Sequence, residues 1–373
     1  MMKFSYLFIA CLLNISVAWS QSKKNSENVI QGEIFRKPNT DDTIYFKSAE
    51  IPSKYYKEPF LYSKLKANKY ALINEVSYPQ MYAIVFSSDK NIRPWRNGDY
   101  FIDSSTTIIK TDYLSEDCNL VNGRTAIEYY TKFIPFIVGG KVYDCKSNNL
   151  SGLFDDHKST IDSLLFKYVS QNPDSYVALW KLIERFSSLG QSSLRQKTLF
   201  LFSNRIKKEY LWKLLNDDFK NAKIKEGSRF PYVALKGYDL KPTKLILKNA
   251  KYTLIDYWFA RCRPCLDTIP ELKKLYNDYN IRGFNIISIS VDETANIPIW
   301  QKRVKEHNLI WPQYLEENNL KNNELGINEF PTFILLDNKG KIIWSNFDLH
   351  DLDKFLKKHL KSNAIRSETG LEK

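Results

Sequence analysis

Two cysteines three positions apart, Cys262 and Cys265 in the run Phe259-Ala260-Arg261-Cys262-Arg263-Pro264-Cys265, are the residues of this sequence best suited to chemistry. A thiol attacks as its thiolate, and at the ordinary pKa of about 8.5 only a few per cent is ionised at neutral pH. At the start of a helix a cysteine sits beside unpaired backbone N–H groups and the positive end of the helix dipole, and both favour the thiolate. Cys262 is expected there, with Arg261 and Arg263 acting in the same sense. Cys265 lies about one turn on, within reach of a mixed disulfide formed at Cys262, and is expected to be the more buried of the two. Pro264 suits an opening helical turn, where its missing N–H costs little. The expected division of roles is attack on a substrate disulfide by Cys262 and resolution by Cys265. Half a zinc site and a purely structural disulfide are the other readings of such a pair. No second Cys-x-x-Cys or His pair lies nearby, and His157, His307, His350 and His359 are dispersed, so no metal is expected.

The flanking elements have to hold that turn in place. Tyr252 to Trp258 mixes β-branched and aromatic residues and reads as a buried strand leading into the motif. An amphipathic helix follows, with Leu266, Ile269, Leu272, Leu275 and Tyr276 on one face. A second strand is expected over Phe284–Val291, a helix over Ile297–His307 and a strand over Thr332–Leu336. The last of these turns through Asp337-Asn338-Lys339-Gly340 into Ile342–Trp344, and a final helix runs from about Asp351 to Leu360.

This strand–Cys-x-x-Cys–helix arrangement with a later proline resembles the thioredoxin superfamily, and within it the TlpA/ResA-like group of exported modules. The resemblance covers about Ile224 to Leu360 and implies an α/β fold, a central mixed sheet flanked by helices, and no cofactor. Asp256, six residues before Cys262, matches the family's buried carboxylate and by resemblance helps move the proton of Cys265. A buried acid has a raised pKa and suits that task, whereas an Asp at a solvated strand edge would not. Pro270 matches the family's helix-kinking proline. Pro331 matches the proline carried in cis facing the disulfide, which turns the backbone of Phe330 toward the cysteines for pairing with a substrate strand. Phe330, Pro331, Trp258, Arg261, Arg263 and Pro264 are therefore the expected substrate-binding residues. Three positions depart from the family: Arg261 stands where tryptophan is usual, Thr268 where ResA-like reductases have glutamate, and Phe330 is bulkier than the usual threonine.

The rest of the chain offers less chemistry. Short apolar bursts between Val29 and Val142, separated by Pro, Asn, Gly and Asp, predict a small antiparallel β domain over 21–155, as a sandwich or open barrel. Its tyrosines read as core and strand surface. Ile161, Leu164, Leu165, Tyr168 and Val169 then fall on one helical face, and Asn172-Pro173 reads as a cap with a first-turn proline before a second helix. A helical connector is expected over 156–223, the thioredoxin-like domain over 224–362 and a flexible tail over 363–373.

Compartment is read from the N-terminus. Met1-Met2-Lys3, the apolar run Phe4–Val17 and the small residues Ala18 and Ser20 before Gln21 have the layout of a signal peptide over 1–20. The alternative is lipidation at Cys11, which would attach the chain to a membrane. Cleavage after Ser20 leaves four cysteines, so Cys118 and Cys145 are paired by elimination as a structural disulfide, with two separate buried thiols as the alternative. The 373 residues carry a net charge of +13, mostly scattered lysines without a basic stripe interleaved with aromatics, which predicts a solvated surface and no nucleic acid. The expectation is a secreted or periplasmic thiol–disulfide oxidoreductase that reduces protein or peptide disulfides, such as those of apocytochromes, with electrons from a membrane thiol donor. Its rivals are a redox-inert scaffold whose β domain does the work, and a peroxidase, although the PxxxTxxC run of peroxiredoxins is absent.

Overall fold

The computed structural model describes residues 28–360 apart from 36–42, 49–50, 75–76, 89–90, 104–106, 113–114, 140–159, 248–249, 320–324, 328, 346 and 348. The expected signal peptide, Cys11, Cys145 and the tail lie outside the described residues. Of Cys118 only its place in a strand is described.

The first half opens with eight strands: β1 (Asn28–Phe35), β2 (Thr43–Lys47), β3 (Phe60–Lys64), β4 (Lys69–Asn74), β5 (Gln80–Ser88), β6 (Asn91–Ile102), β7 (Thr107–Asp112) and β8 (Ser115–Val121). They form two four-stranded sheets, β4-β1-β7-β8 and β3-β2-β5-β6. Phe46 of β2 packs on Tyr70 of β4 with ring centroids 6.0 Å apart, so the sheets face one another as a sandwich. Gly32 permits a close approach, since a Cβ there would lie 2.4 Å from the Tyr70 hydroxyl.

Two features correct the expectation of an antiparallel domain running to residue 155. β1 and β7 pair in parallel, with Ile30 opposite Thr107. Beyond β8 the chain turns helical, through α1 (Arg124–Glu128), a π-helical turn at Tyr129–Phe133 and α2 (Ile134–Ile137). Ala126, Tyr129, Phe133, Ile134 and Ile137 are buried, which is helical spacing rather than strand alternation.

The helices α3 (Ile161–Gln171), α4 (Tyr176–Leu189), α5 (Ser193–Leu201), α6 (Asn204–Lys208) and α7 (Tyr210–Asn221) complete this half. Asn172 closes α3 as its C-cap, and the N-cap of α4 is Ser175, whose hydroxyl accepts from the Ala178 N–H at 2.9 Å. The cap expected at Asn172 therefore falls three residues later, because Ser175 has the extended backbone that an N-cap needs. The helices are more than a connector. One apolar cluster runs from Ile30 of β1 through Tyr82 and Trp180 to Phe219 of α7. The Trp180 indole donates to the Pro79 carbonyl at 2.7 Å, tying α4 to the β5 edge.

The second half is built on one seven-stranded sheet of order β10-β9-β13-β12-β11-β14-β15. Its strands are β9 (Leu235–Gly237), β10 (Pro242–Thr243), β11 (Tyr252–Trp258), β12 (Phe284–Ser290), β13 (Gln313–Leu315), β14 (Thr332–Asp337) and β15 (Ile342–Ser345). β11, β12 and β13 run parallel, while β14 pairs antiparallel with both β11 and β15. The helices are α8 (Arg263–Tyr279), α9 (Ile297–Glu306) and α10 (Leu349–His359). All seven β12 residues are buried, as expected of a strand covered on both faces. One face carries Leu254, Trp258, both motif cysteines, Leu272 and Phe333, and the other carries Ile255, Tyr257, Ile287 and Ile334.

Candidate functional site

Period-two alternation assigns each β11 side chain to a face. Leu254 and Trp258 lie on the face covered by α8, so Asp256 between them shares it with the cysteines. Trp258 ends the strand, and the chain turns through Phe259-Ala260-Arg261 into Cys262, whose N–H donates to the Phe259 carbonyl at 3.0 Å. Cys262 is the N-cap of α8. The Cys265 N–H, an amide otherwise unpaired in a first helical turn, donates to the Cys262 sulfur at 3.1 Å. This is the helix-terminus placement that favours a thiolate. The sulfurs are joined, 1.98 Å apart, with 5.2 Å between Cα atoms. Pro264 stands in the first turn and Pro270 within the helix.

Both cysteines are buried, Cys262 with 4% and Cys265 with 3% of its surface exposed, so the expected contrast in burial is absent from this disulfide form. The exposed lip is made of Arg261, Arg263 and Pro264. Arg263 pairs with Asp267 one turn on at 3.0 Å, and Arg261 donates to Asn296 at 3.4 Å. Thr268, where the family's glutamate is missing, turns its hydroxyl to the Cys265 carbonyl at 2.8 Å. Trp258 is 2% exposed and belongs to the core beneath the turn, so the substrate contact expected of it is not available here.

The peptide bond between Phe330 and Pro331 is cis. Phe330 stands edge-on to Phe259, with centroids 5.5 Å apart. Both rings are half-buried and pack against both apolar clusters, so they close the end of the sheet beside the cysteine turn. Phe259 carries no polar signal, and only its place three residues before Cys262 could have pointed to it.

Asp256 is buried and accepts from the Ser288 hydroxyl on β12 at 2.7 Å. Burial pushes its carboxyl up from 3.8 to about 7, against the opposing effect of that hydrogen bond. A second carboxylate escaped the sequence reading. Asp292, just beyond β12, accepts from the Ala260 N–H at 2.9 Å and the Ser290 hydroxyl at 2.6 Å, and so fixes the turn leading into Cys262. Burial raises its pKa, while the hydrogen bonds and the nearby Arg261 oppose the rise.

A mixed sheet with a Cys-x-x-Cys disulfide at the junction of a central strand and a helix, and a cis-proline opening the neighbouring strand, defines a thioredoxin-like module. Known proteins agree. The family described as Thioredoxin-like matches residues 249–342. The thiol-disulfide oxidoreductase ResA of Bacillus thuringiensis subsp. konkukian is 29% identical over 126 residues, which span 33% of this chain and 70% of that relative. ResA of Bacillus subtilis is 23% identical over 120 residues. Among solved structures, the thioredoxin domain of a thiol-disulfide oxidoreductase from Bacteroides vulgatus is 30% identical, with 37% of this chain covering 99% of that one at a TM-score of 0.34. A thiol:disulfide interchange protein from a Bacteroides species is 29% identical, with 38% and 95% covered and a TM-score of 0.34.

Proposed function

We propose that the protein is an exported thiol–disulfide oxidoreductase that reduces disulfides in protein or peptide substrates. The observation that carries the reading is the Cys265 N–H directed at the Cys262 sulfur from the first turn of α8. That amide and the helix dipole stabilise negative charge on the sulfur, so reduced Cys262 is a thiolate at neutral pH. Its sulfur attacks one sulfur of the substrate disulfide; that S–S bond breaks, a Cys262–substrate bond forms, and the other substrate sulfur leaves as a thiol. Cys265 loses its proton to Asp256 and attacks the Cys262 sulfur, releasing the second substrate thiol. The substrate gains two electrons, and the enzyme is left with the Cys262–Cys265 disulfide. A membrane thiol donor returns the pair to the dithiol.

Arg261, Arg263 and Pro264 form the exposed lip over which substrate approaches, and Phe330 with Pro331 offers the backbone edge on which an extended segment can lie. A Cys265→Ser variant, unable to resolve, should accumulate a mixed disulfide with a disulfide-containing polypeptide such as insulin. The adduct should be absent from Cys262→Ser. Equal adducts from both variants, or none from either, would contradict the assignment.

A further inference from the structure

The buried Asp256 carboxylate has a fixed arrangement behind it. Ser288, opposite Asp256 on β12, is fully buried. Its hydroxyl donates to Asp256 at 2.7 Å and accepts from the Trp311 indole N–H at 2.8 Å. Trp311 is itself buried, and its ring packs at 5.5 Å on Tyr276 of α8, the helix that carries Cys265. An indole N–H can only donate, so the Ser288 oxygen must accept from Trp311, and the single hydroxyl proton is left pointing at the carboxylate. The chain Trp311→Ser288→Asp256 has one polarity, and that polarity favours the ionised acid.

We propose that Ser288, oriented by Trp311, is a positioning residue that keeps Asp256 available as the base for Cys265 near neutral pH. The catalytic consequence rests on the oxidoreductase reading above, whereas the effect on the acidity of Asp256 does not. Burial raises the carboxyl, the Ser288 bond lowers it, and no charged side chain contributes to its shift. The surroundings agree. β14 places Phe333 opposite Asp256, and α8 contributes apolar residues and the two cysteines, which titrate only when reduced. Charged groups of α9 pair among themselves as Lys302 and Arg303 with Glu306. On α10, Asp353 is engaged by Lys357 and by Tyr279 at the far end of α8, and His359 stacks on Phe355 beside Tyr252 at the opposite end of β11. The hydroxyl is thus the polar group that offsets desolvation, and losing it leaves the carboxylate with burial alone.

The oxidised full-length protein provides the test. The Asp256 carboxyl is followed by infrared difference spectroscopy against pH, with Asp256→Asn assigning the band. Ser288→Ala should move the midpoint up by about one to two pH units, the worth of a hydrogen bond to a charged group. Trp311→Phe keeps the ring and frees the hydroxyl to rotate, so it should move the midpoint up by a smaller amount. Ser288→Thr, which retains a hydroxyl, should hold it near the wild-type value. In the reduced protein, the pH limb for release of a mixed disulfide should shift to alkaline values in step. An unmoved midpoint in Ser288→Ala overturns the proposal, and if that variant does not fold, an unmoved midpoint in Trp311→Phe does so. A shifted carboxyl with an unshifted release profile overturns the link to resolution. Wild-type protein that reduces no disulfide at any pH while the carboxyl shifts appear would count against the oxidoreductase reading and for the assignment of Ser288.

Discussion

The two halves of this chain treat buried charge in opposite ways. In the first half, the ammonium of Lys181 meets Asp99 and Glu184, and the guanidinium of Arg195 meets Asp162, which also holds Arg185. Burial pulls the pKa of Lys181 down, but the facing carboxylates overcome it and hold the ammonium well above its ordinary range. Asp162 is likewise raised by burial and more than compensated by its two arginines, so its carboxyl ends below the usual range. In the second half, Asp256 and Asp292 are buried among neutral donors and both are raised. A counter-charge locks a group in one protonation state across the accessible pH range, whereas a neutral partner leaves it able to exchange a proton near pH 7. The first half is thereby built to stay as it is, and the second to carry out proton-coupled chemistry.

The largest expected effect breaks the comparison at its chemical end. Cys262→Ser should lower disulfide reduction by about a thousandfold or more in a turnover assay, with the first half still folded by circular dichroism. At the structural end, Asp162→Ala leaves Arg195 buried without its counter-charge and should cost about 4 kcal/mol in urea unfolding. The pH dependence of Cys262 alkylation should not change, because Asp162 belongs to the other core.

Asp256→Asn should do the reverse for stability. The wild-type carboxyl titrates at about 7 in the fold against 3.8 when unperturbed. Between those values the folded state holds a proton that the unfolded chain has lost, so stability falls as pH rises from about 4 to about 7 and is level above. Removing the titration should therefore stabilise the oxidised protein at pH 8 by about 3 kcal/mol, and the advantage should vanish near pH 4. An advantage that is constant with pH would mean that Asp256 does not change its protonation on folding. Smallest is Arg263→Ala. The pair with Asp267 is largely solvated, with 84% and 57% of the two side chains exposed, so unfolding should be unaffected. The Cys262 alkylation midpoint should move by less than about 0.3 pH unit, since an exposed guanidinium is screened.

What could be read before the structure follows the same division. The strand into Cys262, the helix leaving it, the β14–β15 hairpin and Pro331 lie in local patterns of apolar period and turn residues, and the structure has each of them. The parallel pairing of β1 with β7 joins segments some seventy residues apart and leaves no local mark. Residues 124–137 are rich in aromatic and β-branched side chains, which suit strands, and only tertiary burial selects the helix. At the site, Ser288 and Asp292 were hidden because β12 is buried on both faces, so no alternation separates an inward serine from its neighbours. Trp311 sits on a connecting segment, and its partner is visible only once β12 and the loop before β13 are side by side.

The central claim is that the first turn of α8 makes the Cys262 sulfur acidic, and alkylation of the reduced protein tests it most directly. Iodoacetamide rates at Cys262, measured between about pH 5 and 10 in a Cys265→Ser background, should reach half their maximum well below pH 8. Rates that rise only above about pH 8.5, as for an ordinary thiol, would contradict it.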